Sequence, residues 1–116
     1  MILIRICSIE EDGVMEEIYV WRKQPGELPE FIKIRNDLKT LQDYVEGPIE
    51  TVTIASNKVV ICNEEGLLMG MPYNCTIKGI DFVGPVIMAG IKGDEFASFP
   101  VRKRKKIIRE CCSTLK

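Results

Sequence analysis

The feature that most limits the fold is the spacing of chain reversals. Glu10-Glu11-Asp12-Gly13, Ser56-Asn57, Asn63-Glu64-Glu65-Gly66 and Lys92-Gly93-Asp94-Glu95 interrupt runs of β-branched and apolar residues. Asparagine, aspartate and glycine tolerate the left-handed and self-bonded backbone conformations that tight turns require. Strands joined by such short turns pair antiparallel, because parallel pairing needs a crossover of a dozen or more residues. The runs predict strands at 2–9 (ILIRICSI), 15–22 (MEEIYVWR), 30–35 (EFIKIR), 49–55 (IETVTIA), 58–62 (KVVIC), 81–91 (DFVGPVIMAGI) and 95–99 (EFASF). The first two are expected to form a hairpin, and 49–55 with 58–62 a second. Residues 81–91 read as one buried strand, with Gly84-Pro85 marking a bulge or an edge. Residues 24–29 read as loop, and so does the segment after Gly66, which carries two further glycines or prolines before Tyr73.

One helix stands out at 37–46. Asn36 or Asp37 can cap its start, and Leu38, Leu41 and Val45 fall on one face at i, i+3 and i+7, widened by Tyr44. Gly47 is expected to supply a left-handed stop, and Pro48 prevents continuation. A second, C-terminal amphipathic helix is predicted from the stripe Ile107, Ile108, Cys111, Cys112 and Leu115. The order β-β-β-α-β-β-β-(β)-α implies an α+β domain spanning 1–116. It is expected to be a mainly antiparallel twisted sheet of about six strands with the 37–46 helix packed on one face.

Composition narrows the chemistry. The 116 residues are 46% apolar and 28% charged, enough for one core without staples. Histidine is absent, which removes the commonest general base and the His-activated nucleophiles. Five cysteines, an odd number without CxxC spacing, imply reduced thiols in a cytoplasmic setting. No uncharged run reaches the roughly 20 residues needed to cross a bilayer, and MILIRIC lacks the basic segment of a signal peptide. Charge is polarised: residues 1–100 hold 16 acidic and 9 basic groups, and residues 101–116 hold 1 acidic and 7 basic.

Candidate sites are few. Asn63, Glu64 and Glu65, with Tyr73 and Asn74 beyond, read as a turn that can present a binding surface, since exposed loops often carry contacts. Adjacent glutamates in extended chain point to opposite sides, which disfavours a shared-proton pair. EEDG and GDE are too short for a carboxylate metal loop, so neither metal nor cofactor is expected. Arg102, Lys103, Arg104, Lys105, Lys106 and Arg109 can contact an anionic partner. No aromatic residues interleave with these cations as base stacking would require.

Four segments carry a family resemblance: DLKTLQDYVEGPIETV, VVICNEEGLLMGMPYN, DFVGPVIMAG and DEFASF. Together they resemble the domain-of-unknown-function family numbered 3846. That pattern has a helix with an L-x-x-L-Q core, a Gly-Pro/Tyr-Ile-Glu strand, a C-N-E-E-G-K-L turn, an L-P-x-N-R segment and a V-G-P strand ending in D-F-x-S-L. The resemblance spans roughly 17–100. It departs from the pattern at Met71-Pro72-Tyr73-Asn74-Cys75, where cysteine replaces arginine. The strand at 2–9 and the basic segment after residue 100 read as additions. The resemblance implies a small cytosolic protein of bacteria, phages or mobile elements, accessory to phage–host conflict, and supplies no catalytic residue.

Three functions are therefore open. The favoured one is a non-enzymatic module that binds an unknown protein partner, regulatory or counter-defence in role. The first alternative is weak nucleic-acid binding through 102–109. The second is a small enzyme built on Glu64, Glu65, Asp81 and Cys75. Membrane attachment is not expected, and homodimerisation through the first strand's edge is a further expectation.

Overall fold

The computed structural model describes residues 17–99. The strand expected at 2–9, its hairpin pairing, and the C-terminal helix lie outside the described residues. The elements are β1 (Glu17–Lys23), β2 (Glu30–Arg35), α1 (Leu38–Val45), β3 (Ile49–Ala55), β4 (Lys58–Asn63), β5 (Tyr73–Ile77), β6 (Ile80–Val83), β7 (Val86–Lys92) and β8 (Glu95–Ala97). A six-stranded sheet has the order β2-β1-β7-β4-β3, with β8 also pairing β7, and β5-β6 form a separate two-stranded sheet. Every pairing is antiparallel.

Two hairpins, β1-β2 and β3-β4, flank a central strand contributed much later in the chain. β7 sets Met88 opposite Trp21 of β1 on one side and Val60 of β4 on the other. Both faces of β4 and β7 are covered, so their residues are apolar almost throughout, in place of the alternation seen where one face meets water. Side-chain alternation assigns the faces. Val59, Ile61, Ile87 and Ala89 join Ile18, Val20, Leu41 and Val45 in the core beneath α1. Val60, Cys62, Val86 and Met88 join Trp21, Cys75, Ile77, Phe82 and Phe99 in a second core beneath the β5-β6 hairpin. The result is three layers: helix, large sheet, small hairpin.

The helix forms as its pattern requires, with two refinements. Asp37 is the cap, its side chain accepting from the Thr40 N–H at 2.7 Å, and that bond lowers the Asp37 carboxyl below its ordinary value. At the other end the left-handed residue is Glu46 (φ 68°), not Gly47. Gly47 is needed for space, since a Cβ there would lie 2.7 Å from Asn63 Nδ2. The Gly47 N–H closes back onto the Gln42 carbonyl at 3.0 Å, the six-to-one bond of a Schellman stop. Leu41 and Val45 are buried, while Leu38 stays largely exposed.

Residues 81–91 do not form one strand. Gly84, at φ +71°, turns the chain out of the small sheet, and β7 begins two residues later in the large one. Glycine suits that turn because left-handed backbone is costly for a residue with a Cβ. The segment expected as loop after Gly66 gives way at Tyr73 to β5, a strand that sequence did not predict. Its pairing with β6 involves partners from both sides of Lys78-Gly79, both at positive φ.

Gly90 lies in the middle of β7, where the chain after β8 crosses closely. A Cβ there would fall 2.5 Å from the Ser98 carbonyl oxygen. Residues 98–99 are held in place by the Ser98 hydroxyl, which accepts from Tyr19 N–H, and by the Phe99 N–H bonded to the Tyr19 carbonyl at 2.8 Å. Gly90→Ala is therefore expected to cost about 2 kcal/mol, typical of overpacking against backbone. Urea unfolding would measure it; a loss below about 0.5 kcal/mol, within the range of ordinary surface changes, would mean that this crossing yields.

Candidate functional site

The turn at 63–66 belongs to the scaffold as much as to the surface. Asn63 is the last residue of β4 and is buried. Its Nδ2 donates to the Val45 carbonyl at 3.0 Å, and its Oδ1 accepts from the Glu65 N–H at 2.7 Å. The first bond satisfies a carbonyl left orphaned at the end of α1; the second makes the self-bonded asparagine turn. Glu64 N–H bonds to the Pro48 carbonyl at 2.8 Å, tying the turn to the start of β3.

Beyond the turn the backbone coils tightly. Met69 N–H bonds to the Glu65 carbonyl at 2.9 Å, and Met71 N–H to the Gly66 carbonyl at 3.0 Å. Gly66 is buried against Val83, where a Cβ would meet Cγ2 at 3.1 Å. A closely bonded loop thus holds Leu67, Leu68 and Met69 outward at 82%, 89% and 58% exposure. Tyr73 and Ile80 are also substantially exposed.

Beside this loop runs a groove of about 230 Å³. Val52, Leu67, Ile80, Phe82 and Val83 form its apolar walls, Cys62 lies within it, and Glu50, Glu64 and Asp81 bring carboxylates to it. The groove exists because β3-β4 of the large sheet and β6 of the small one lie on opposite sides of it. Burial, followed by the nearby Glu50 charge, pushes the Cys62 thiol up to about 11. Its Sγ lies 3.8 Å from the Glu50 carbonyl, so Cys62 is held as a neutral thiol at physiological pH. Asp81 accepts a hydrogen bond from the Thr76 hydroxyl, which also contacts Tyr73 Oη at 2.6 Å.

Only part of the expected surface is brought together. Glu64 is exposed in the groove, Glu65 is exposed beside it, and Tyr73 is exposed on β5. Asn63 and Asn74, expected on that surface, face inward. Asn74 is 1% exposed; its Nδ2 donates to the Lys23 and Gly84 carbonyls, and its Oδ1 accepts from Lys23 Nζ at 2.7 Å. Lys23, also buried, donates further to the carbonyls of Gln24 and Asn74. A polar pair beneath two sheets must satisfy its own hydrogen bonds, which explains the inward placement. Of the enzyme candidates, Glu64 and Asp81 share the groove, while Cys75 is fully buried in the core under the hairpin. Glu50 and Cys62 complete the groove and were not singled out by sequence. The hairpin was expected, but the pairing of Glu50 with Cys62 depends on a register shift between Thr53 and Ala55 that the turn alone does not announce.

Among the described residues, no group of three or more His, Cys, Asp or Glu side chains could hold a metal ion, and no helix is long and apolar enough to cross a membrane. The cations at 102–109 lie outside the described residues. A family model described as a domain of unknown function (DUF3846) matches residues 17–111. The chain belongs to the DUF3846 family. The match runs past residue 100, so the basic run 102–109 falls within the family's extent and is not an addition to it. No curated protein and no solved structure matches this DUF3846 chain.

Two predictions follow for this DUF3846 domain. Asn74→Ala would leave the Lys23 ammonium and two backbone carbonyls short of partners beneath the hairpin. A loss of about 3 kcal/mol is expected in denaturant unfolding, the scale of breaking a buried charged hydrogen-bond pair. Cys62 ionises near 11 when folded and at its ordinary 9.0 when unfolded, so its stabilising effect is complete below pH 9 and lost as pH rises through 11. Carbamidomethylation of Cys62 at pH 8, followed by peptide mass mapping, should proceed about a hundredfold or more slowly than for an unhindered cysteine.

Proposed function

We propose that this protein is a non-catalytic interaction module that docks a basic, apolar segment of a protein partner against the 64–71 loop and its groove. The observation that carries the reading is the presentation of Leu67, Leu68 and Met69 to solvent by a loop that is hydrogen-bonded at both ends. Large apolar side chains held outward together mark interaction surfaces. Burying each contributes about 2 kcal/mol, so three can carry much of the roughly 8 kcal/mol of a micromolar complex. Glu50, Glu64 and Asp81 beside them select a cationic partner and speed its encounter.

The groove's small volume and the neutral Cys62 thiol favour docking over chemistry. Small-molecule sites usually begin near 300 Å³, and an inert thiol is a poor nucleophile. The resemblance to proteins of phages and mobile elements supports a regulatory or counter-defence setting, in the cytoplasm, in which the module acts by occluding its partner. Nucleic-acid binding is the weaker reading. Residues 17–99 carry twelve acidic and eight basic groups, a balance that opposes a phosphate backbone.

Fluorescence anisotropy with labelled peptides alternating Lys or Arg with Leu, against acidic and scrambled controls, tests the proposal. Micromolar binding of the basic-apolar set is expected, weakened at least tenfold by Leu67→Asp with Leu68→Asp, both at highly exposed positions. Binding that ignores these substitutions, or no binding, would overturn it.

A further inference from the structure

We infer that the partner's basic, apolar segment binds as an extended strand added to the outer edge of β3, which grips its backbone while the groove receives alternate side chains. This rests on the docking role proposed above and adds the means by which a segment is held. β3 is the outermost strand of the large sheet, and among the described residues its one neighbour is β4. The direction of its backbone groups follows from the ladder. Glu64 N–H donates to the Pro48 carbonyl at 2.8 Å, and the register continues with Ile49 opposite Asn63, Glu50 opposite Cys62 and Val52 opposite Val60. Bonded and non-bonded pairs alternate in antiparallel strands, so Glu50 and Val52 turn their N–H and C=O groups toward β4. Ile49, Thr51 and Thr53 turn theirs away from it. Side chains alternate as well: Glu50 and Val52 line the groove, whereas Ile49 packs in the core beneath α1. The groove therefore lies along a strand edge that can still bond a backbone.

The opposite edge of the same sheet is built differently. β2 carries Glu30, Lys33 and Arg35, which form ion pairs with Arg22, Glu17 and Asp37. Charged side chains and prolines on an edge discourage strand addition. Residues 49–53 contain no proline and one charge, Glu50, among β-branched neighbours. The register shift between Thr53 and Ala55 ends this regular edge. Charge then selects the occupant. None of the ion pairs among the described residues engages Glu50, Glu64 or Asp81, all of which border the groove. A second copy joined β3 to β3 would bring two such acidic sets together. Lysine or arginine at alternate positions of a foreign strand would instead set a cation beside Glu50, where opposite charges on neighbouring strands attract. A cationic strand with apolar residues between its charges is the occupant that fits.

Two measurements on the full chain test this, with the peptide of alternating Lys and Leu as probe. Amide hydrogen exchange followed by NMR should show Thr51 and Thr53 exchanging freely without peptide and slowed about tenfold or more in the complex. Protection already present without peptide would mean that the chain itself or a second copy covers the edge, and would overturn the inference. Fluorescence anisotropy then compares the probe with two backbone-N-methylated forms, one methylated at every Lys and one at every Leu. An extended strand turns only one of these sets of amides to its neighbour. One form is therefore expected to bind about tenfold or more weakly while the other stays close to the parent, since main-chain bonds supply the affinity of an added strand. On the protein, Thr51→Pro removes an N–H that β4 does not use, a change edge strands accept. It should weaken binding by about tenfold, whereas Thr51→Val, which keeps the N–H, should not. Equal response to both methylated forms, or full binding by Thr51→Pro, would overturn strand addition. If Leu67→Asp with Leu68→Asp still weakened the peptide in that case, the docking reading would stand alone. No binding of the parent peptide to wild type would remove both.

Discussion

The whole architecture depends on β7. The β1-β2 and β3-β4 hairpins form from residues close in sequence, yet neither completes a sheet until β7 enters between them and pairs with both β1 and β4. It brings Val86 and Met88 to one face and Ile87 and Ala89 to the other, so a single strand closes both cores. Because it must satisfy two neighbours and two faces, almost every residue in it is constrained. Gly90 shows the limit, since the chain crosses too closely there for any side chain.

Burial on both faces explains how polar residues are used. Asn63 ends the helix, starts the turn and spaces Gly47, and Asn74 joins Lys23 to the backbone at Gly84. Each stands where two layers meet and backbone groups would otherwise be left without partners. These joints hold the 64–71 loop in a defined shape. A less constrained loop would fold Leu67, Leu68 and Met69 onto the nearest apolar surface, whereas this one keeps them in solvent. The exposed apolar cluster is thus a consequence of scaffold hydrogen bonding, and it adjoins the groove between the two sheets.

On the proposed reading, a partner of basic and apolar character fits that arrangement: Leu67, Leu68 and Met69 supply apolar contact, and Glu50, Glu64 and Asp81 beside them set the charge it must carry.

Sequence by itself determined the local elements and the class. The α1 stripe, the Asp37 cap, the Ser56-Asn57 and Asn63–Gly66 reversals and the β-branched runs announce themselves, because turn chemistry and helical periodicity act over a few residues. The family was legible for the same reason, through motifs of contiguous residues. The placement of β7, the break at Gly84, the existence of β5, the burial of Asn63 and Asn74, and the meeting of Glu50 and Cys62 with Glu64 and Asp81 were decided by tertiary structure. Apart from β5, whose partners in β6 are three to ten positions on, each depends on partners 10 to more than 60 positions away. Which face of a strand is covered, and by what, is a property of the assembled layers: an asparagine beside a turn has the same local signature whether it meets water or the end of a helix.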